Sequence, residues 1–210
     1  MKGFTRYCLG AGLVKSDPAA GIQPPKHRSE PIHTWTEAQI AQFEARWPVG
    51  SQPRLAMGLH LYTGQRLSDT TRMGAQHVRN GMIHITQVKT GAPVSIPIHP
   101  ELQRILDAVP KDNLTFLLNG NGAPFVHGYG ARFREWCSAA GLPAECTSHG
   151  LRKAACRRLA EAGCTVHEIV AISRHKTLHE VERYTRAVDR EQLARRAMAA
   201  LAPKTRTSSV

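Results

Sequence analysis

Residues 82–98 read MIHITQVKTGAPVSIPI, and this stretch decides the fold class. Apolar and polar residues alternate on both sides of a Thr-Gly turn. The apolar members of the pattern are Ile83, Ile85, Val94, Ile96 and Ile98. Such alternation around a glycine-containing turn predicts a β-hairpin with one apolar face. Lys89 lies at the predicted tip of this hairpin.

Most of the chain on either side of the hairpin has helical periodicity. Thr36 and Gln39 form a capping box that starts a helix, and Gly64 is a natural left-handed end for another, with Arg66 just after it. The predicted helices cover residues 36–47, 53–63, 66–73, 100–109, 128–140, 148–162, 165–173, 178–186 and 191–201. We therefore expect an α+β fold, a mainly helical domain with a small antiparallel β-sheet on one edge.

The N-terminal part of the chain differs in composition from the rest. Residues 1–15 resemble the end of a helix, and residues 15–31, KSDPAAGIQPPKHRSEP, have the Pro, Gly, Ser and charge content of a linker. We therefore expect a boundary near residue 31, a main domain over residues 32–202 and a flexible tail over residues 203–210.

The charge of the chain indicates its class of partner. Twenty-eight Lys and Arg residues against 16 acidic residues give a formal net charge of +12. This surplus favours nucleic acid or an anionic membrane surface, although a solvated basic face is the ordinary alternative. The sequence contains no apolar run of about 20 residues and no signal-peptide core, which predicts a cytosolic protein without a membrane span.

The cysteines do not predict a disulfide framework or a metal site. They number five, an odd count, and their spacing includes no C-x-x-C pair. Cys146 and His149 form a lone C-x-x-H that lacks a second half with metal-ligand spacing. We expect free thiols and no metal.

The motif SHGLRKA, residues 148–154, places charged side chains at a predicted helix N-terminus. Ser148 is the expected N-cap, and His149 and Arg152 lie three residues apart on one face. The backbone N–H groups, the imidazole and the guanidinium together suit a phosphate. A solvated His-Arg pair is the alternative for this motif taken alone.

Residues 176–186, KTLHEVERYTR, place Tyr184 in a short amphipathic helix. Thr177 and Glu180 form the capping box that starts this helix. Tyr184 shares a face with Leu178 and Val181, so a half-buried packing role is the alternative to a chemical one.

Taken in order, these motifs resemble the catalytic domain of the tyrosine recombinase, or phage-type integrase, family. The resemblance covers residues 34–201 and rests on TGQRLSD, QVKTG, SHGLRKA and RHKTLHEVERYT. These four stretches contain five motif elements in the family's order, because the last stretch holds both His175 and Tyr184. Five elements in order, with compatible local structure, are far more specific than any one of them.

The resemblance implies a role for each motif residue. Tyr184 is the nucleophile that attacks a DNA phosphate, without metal or another cofactor. The other catalytic residues are Arg66 and Arg152 on the phosphate oxygens, His149 as base, Lys89 as acid and His175 as a further phosphate donor. Asp69 is a candidate for orienting Arg66 from behind, although an ordinary structural role is the favoured alternative for this residue.

The resemblance also implies partners. These are duplex DNA and further copies of the chain, in a tetramer on DNA. The implied location is the bacterial cytoplasm, on the nucleoid when the chain is bound to DNA. The helix over residues 191–201 either exchanges onto a neighbouring protomer or packs on its own domain. Weaker candidates for DNA contact, for which an ordinary solvated helix face is the alternative, are Arg132, Arg134, Lys153, Arg157 and Arg174.

Two departures from the family pattern have consequences. An N-terminal helical domain normally clamps the other face of the DNA, and residues 1–31 are expected to hold the end of that domain. Arg174 replaces the usual glycine before the second histidine. Either Arg174 adopts a left-handed backbone at a cost of about 1 kcal/mol, or the helix continues and the guanidinium contacts a phosphate; we expect the former.

Two other functions are compatible with the charge. One is a catalytically impaired DNA-binding remnant of an integrase. The other is a basic module that binds RNA or a protein, which is less favoured because aromatic residues make up only 6% of the chain and form no stacking platform.

Overall fold

The structure is a computed structural model that describes residues 2–17, 20, 31–110, 112–175, 177–185, 194 and 198. Clustering of contacts divides the chain into two compact units, Met1–Pro31 and Ile32–Val210. In the first unit, residues Lys2–Gly10 form helix α1. None of the described helices has the length and apolar character that a membrane crossing demands.

The second unit combines helices with one small sheet, so the predicted α+β class is confirmed. Its helices are α2 (Glu37–Arg46), α3 (Gln52–Thr63), α4 (Leu67–Thr70), α5 (Pro100–Asp107), α6 (Tyr129–Ala139), α7 (Ser148–Glu161), α8 (Val166–Ser173) and α9 (Leu178–Thr185). The strands are β1 (Val78–Arg79), β2 (Met82–Thr86) and β3 (Pro93–Pro97). A short 3₁₀ helix, Ala75–His77, leads into β1.

The predicted hairpin forms. Strands β2 and β3 pair antiparallel, with Ile83 opposite Ile96 and Ile85 opposite Val94. These four side chains are buried, so the hairpin places one apolar face on the core. Strand β1 adds a third strand at the outer side of β2. It was not predicted, because two residues are too few to show an alternating pattern.

The main core gathers around α3, whose apolar residues are buried on all sides. An aromatic group covers one part of it: Trp35 meets Phe43 edge-on at 5.7 Å, and Phe43 stacks on Phe133 at 6.0 Å. The indole N–H of Trp35 donates to the carbonyl of Thr147 across 2.9 Å. This bond fixes the start of α7, which carries two of the predicted catalytic residues.

A second, smaller core lies between α7, α8 and α9. It consists of Cys156, Ala160, Ile169 and Val181, all almost completely buried. Val181 is the contribution of α9, so the helix that contains Tyr184 is attached to the domain through this cluster.

Helix starts agree with local capping signals, with one correction. The Thr36–Gln39 capping box is present, as is a T-x-x-E box at Thr165. The N-cap of α7, however, is Thr147 and not Ser148. Thr147 has the extended backbone of a cap and its Oγ1 accepts from the N–H of Gly150. Ser148 is already helical.

Candidate functional site

The end of α3 brings the first arginine motif together with α7. Gly64 ends α3 in a left-handed conformation, φ 61°, as predicted. Its carbonyl accepts a hydrogen bond of 2.6 Å from Nη1 of Arg152. Arg152 is only 2% exposed, so its guanidinium is held in place beside residues 64–66. Arg66, two residues after Gly64, is the N-cap of α4.

Close packing fixes the N-terminus of α7. A Cβ at Gly150 would lie 2.6 Å from the carbonyl oxygen of His33 and 2.8 Å from the Trp35 ring. Glycine is therefore required between His149 and Arg152. His149 is exposed in the first turn of the helix, where the backbone N–H groups and the helix dipole favour an anion.

The guanidinium of Arg66 is bound by Gln87, which lies at the end of β2. Nη1 of Arg66 donates to Oε1 of Gln87 across 2.9 Å. Asp69, the candidate for orienting Arg66, has a structural bond to a different element. Its Oδ1 accepts from the N–H of Val88 at 2.8 Å. Asp69 therefore holds the turn that carries Lys89, and Gln87 holds Arg66.

Lys89 lies where the hairpin pattern predicted it. The chain turns between β2 and β3 with a 2.8 Å bond from the Gly91 N–H to the Gln87 carbonyl. Lys89 is exposed at this turn. The Lys89 side chain therefore lies at the free end of the hairpin, in a turn that is closed by the Gln87 carbonyl.

The second histidine is placed by the end of α8. Arg174 caps this helix with a left-handed backbone, φ 52° and ψ 46°, which confirms the expected conformation. Nδ1 of His175, one residue further on, forms a 2.7 Å hydrogen bond with Oγ of Ser173. Ser173 is fully buried, so it fixes one edge of the imidazole.

The structure describes Tyr184 only as part of the backbone of α9. That helix begins at Leu178, as predicted, and Oγ1 of Thr177 accepts from the N–H of Glu180 at its start. The side chain of Tyr184 lies outside the described residues. The helix predicted over residues 191–201 also lies outside them, apart from residues 194 and 198.

The five weaker DNA-contact candidates all take part in bonds within the chain. Exposed Arg132 pairs with Glu135 at 2.8 Å, and Arg134 donates to the Gly130 carbonyl. Lys153 donates to the carbonyl of Ile32, and Arg174 donates to that of Pro93. Arg157 differs from the rest because it is three-quarters buried, with ion pairs to Glu37 at 2.6 Å and to Glu161 at 2.9 Å. Its guanidinium joins α2 to α7.

Three residues beside the site were not assigned from the sequence: Gln65, Gln87 and His60. The two glutamines lie inside the motifs TGQRLSD and QVKTG, next to Arg66 and two residues before Lys89. His60 lies one turn before Gly64, where burial lowers its pKa to about 4. Among the described residues, no group of three or more His, Cys, Asp or Glu side chains could hold a metal ion.

Comparison with known protein sequences gives relatives along most of the chain. The profile of the Phage integrase family matches residues 36–191. The integrase of Escherichia phage HK022 is 31% identical over 93 residues, which cover 44% of this chain and 26% of that protein. Tyrosine recombinase XerD of Lacticaseibacillus casei is 23% identical over 202 residues, covering 88% of this chain and 69% of that protein.

Solved structures share the fold. A crystal structure of a lambda integrase (75–356) dimer bound to a COC′ core site has a TM-score of 0.70 at 24% identity, covering 86% of this chain and 68% of that chain. The Tn1549 transposon integrase in complex with transposon right end DNA has a TM-score of 0.67 at 20% identity, covering 96% and 79%. The family profile spans all six predicted catalytic positions and most of the sequence. The chain therefore belongs to the phage integrase family.

Proposed function

We propose that this chain is the catalytic domain of a site-specific DNA recombinase that cuts and rejoins duplex DNA through a 3′-phosphotyrosyl intermediate. The observation that carries the proposal is the bonding of Arg66, Arg152 and His175 around the end of α3. Arg152 binds Gly64, and Arg66 is joined through two glutamines to residues 172 and 173. Three cationic or donor groups from distant parts of the sequence thereby converge, as a phosphate requires.

In the proposed reaction, the phenol oxygen of Tyr184 attacks the phosphorus of a scissile phosphodiester. The bond from phosphorus to the 5′ oxygen breaks, leaving the 3′ end on the tyrosine and a free 5′-hydroxyl. His149 accepts the phenol proton, and Lys89 donates a proton to the leaving oxygen. Attack by a 5′-hydroxyl on the phosphotyrosine reverses the step and rejoins a strand.

The two arginines stabilise the charge that develops on phosphorus. Arg152 is fixed by burial and by its bond to Gly64, and Arg66 is fixed by Gln87. Guanidinium groups held in advance stabilise a pentavalent oxyanion without reorganising during the reaction. His175, whose Nδ1 is bonded to Ser173, is assigned in this proposal as a further phosphate donor.

The alternative, a catalytically impaired DNA-binding remnant, arises from Arg174 in place of a glycine. The left-handed backbone at Arg174 supports the catalytic proposal, because the bend before His175 is retained without glycine. The same proposal assigns duplex DNA as substrate, a tetramer with possible exchange of the C-terminal helix as the working assembly, and the bacterial cytoplasm as the location. Residues 1–31 are proposed to belong to a DNA-clamping domain.

A covalent trap tests the function. The full chain is incubated, without metal, with nicked duplexes whose arms are randomised, so that cleavage near the nick releases a short 5′-hydroxyl fragment and cannot be reversed. We expect a DNA adduct that survives denaturant and maps to Tyr184. Tyr184→Phe abolishes the adduct, whereas Tyr62→Phe, a change in a tyrosine stacked on His99, retains it. DNA binding without an adduct from any pool member would favour the remnant.

A further inference from the structure

Two glutamine side chains are buried together between the hairpin, α3 and α8. Gln65 and Gln87 are both 0% exposed, and Nε2 of Gln87 donates to Oε1 of Gln65 across 2.6 Å. A buried amide that lacks hydrogen-bond partners destabilises the folded state, so such a pair persists only where its surroundings satisfy it.

The outer bonds of the pair reach the active-site elements. Oε1 of Gln87 accepts from Arg66 at 2.9 Å and from Oγ1 of Thr90, in the Lys89 turn, also at 2.9 Å. Nε2 of Gln65 donates to the carbonyl of Ile172 at 2.7 Å. A longer contact of 3.4 Å runs from Nε2 of Gln87 to the carbonyl of Ser173.

The polarity of this arrangement is fixed at both ends. A guanidinium can only donate, so Gln87 must turn its oxygen to Arg66 and its nitrogen to Gln65. Gln65 must then turn its own nitrogen outward, where the carbonyl of Ile172 can only accept. Every donor in the series meets an acceptor, and a reversed amide at either position would set two donors or two acceptors face to face.

We propose that Gln65 and Gln87 are positioning residues that act as one amide relay. The relay fixes the position of the Arg66 guanidinium relative to two other elements. These are the turn that contains Lys89 and the end of α8, which His175 follows. Neither glutamine touches the phosphate in this scheme. The proposal rests on the function proposed above, and it adds a reason why three catalytic groups on separate elements keep one geometry.

Loss of the relay is predicted to slow chemistry without weakening DNA binding. In Gln87→Leu and Gln65→Leu, adduct formation on the trapped nicked duplex slows on the order of 100-fold, as for misplaced catalytic groups, while the DNA dissociation constant stays within about two-fold. Gln52→Leu is the matched control. Gln52 also links two segments through both amide atoms, to Phe116 and Leu118, but at the opposite end of α3, roughly 16 Å away.

A change of charge separates positioning from simple packing. In Gln65→Glu, a protonated carboxyl keeps both bonds of the relay, because its oxygen accepts from Gln87 and its O–H donates to Ile172. It loses only the local bond that Nε2 of Gln65 donates to the Thr63 carbonyl. An ionised carboxylate instead faces the Ile172 carbonyl. Burial favours the protonated form, so Gln65→Glu cleaves like the wild type at low pH and slows as pH rises through the pKa of the new carboxyl. Wild-type cleavage measured over the same pH range provides the reference.

Nuclear magnetic resonance of the arginine side chains tests the relay independently of DNA cleavage, through the exchange of the Arg66 Nη protons with water. The Nη protons of Arg66 exchange slowly with water in the wild type and in Gln52→Leu, and rapidly in both glutamine-to-leucine variants. If wild-type protein forms no adduct, the proposed function is wrong. The exchange rates of the Arg66 protons then decide whether the relay exists. Equal Arg66 exchange in Gln65→Leu and wild type, or cleavage by Gln87→Leu as fast as by Gln52→Leu, would overturn it.

Discussion

Arg174 joins the end of α8 to the hairpin through a hydrogen bond to Pro93. Its Nη2 donates to the Pro93 carbonyl across 2.8 Å, while its backbone stays left-handed at φ 52°. Pro93 is the first residue of β3, so the bond attaches the turn before His175 to the hairpin that carries Lys89. A side-chain contact thus offsets part of the cost of a left-handed non-glycine residue.

Substitution of Arg174 can separate the backbone cost from the bond. Arg174→Ala keeps the left-handed strain and loses the bond, so we expect a lower unfolding free energy by about 0.5–1.5 kcal/mol. Arg174→Gly loses the bond but relieves the strain, worth about 1 kcal/mol, and should lie close to the wild type. Urea unfolding gives the unfolding free energy of the wild type and of the two variants. Equal stability of the Gly and Ala variants would show that the backbone is not strained.

Arg66→Lys tests whether the guanidinium fork is needed. The charge is unchanged, so DNA affinity should remain within about two-fold, while a point charge cannot bind Gln87 and two phosphate oxygens at once. We expect adduct formation to fall by about 100-fold or more. Arg54→Lys is a suitable control, because the Arg54 guanidinium is likewise bonded within the domain, to Glu44 at 3.0 Å. Adduct formation by Arg66→Lys at the wild-type rate would contradict the role.

Local patterns predicted much of this structure, and the reason is visible at particular residues. The apolar face of the hairpin follows from a period of two, and the left-handed end at Gly64 follows from where α3 must stop. The left-handed backbone at Arg174 was expected from the glycine that the family has at this position. Each of these signals lies within a few residues of its consequence. The one-residue error at Thr147 arose because Thr and Ser both cap helices well.

The support behind the site could not be predicted in the same way. Gln65 meets a carbonyl 107 residues later in the sequence, and Arg66 meets Gln87 across 21. No periodicity or cap specifies such pairs. Asp69 shows the same limit, since the sequence did not indicate that its carboxylate accepts from the Val88 N–H, 19 residues away. The catalytic residues can be predicted from sequence motifs, whereas the residues that position them depend on tertiary contacts.

Arg157 and Arg134 should respond differently to the same change. Arg157 is 25% exposed and binds Glu37, Glu161 and the Trp35 carbonyl, so Arg157→Gln should lower the unfolding free energy by about 1–2 kcal/mol. Arg134 is exposed, and Arg134→Gln should leave stability almost unchanged.

Binding to duplex DNA at several salt concentrations completes that comparison. If Arg134 contacts a phosphate, its loss makes the slope of log affinity against log salt shallower by about one unit. For Arg157 we expect a smaller change in slope, because its charge is already paired with carboxylates. A full unit of slope lost in Arg157→Gln, at unchanged stability, would place that guanidinium on DNA.

His60 should make the stability of the domain depend on pH. It is fully buried, with Nε2 bonded to the Tyr129 hydroxyl at 2.9 Å and Nδ1 near Thr70 Oγ1 at 3.3 Å. Burial, and next the charges of Arg152 and His149, lower its pKa from 6.5 to about 4. At pH values between about 4 and 6.5, His60 binds a proton in the unfolded chain and stays neutral in the folded protein. The unfolding free energy therefore falls as pH drops from 6.5 towards 4, by about 3 kcal/mol in total.

Removal of the imidazole isolates this contribution from the other histidines. We expect the unfolding free energy of His60→Gln to depend less steeply on pH between 4 and 6.5, by close to one proton, although its stability at neutral pH is lower. Tyr129→Phe is the matched control, because it deletes the hydrogen bond to His60 and keeps a buried imidazole, so it should retain the wild-type pH dependence. Urea unfolding at pH 4.5, 5.5 and 6.5 provides the slopes, these pH values lying within the window set by the two pKa values. An identical slope in His60→Gln and wild type would mean that His60 is protonated equally in the folded and unfolded states, which its complete burial argues against.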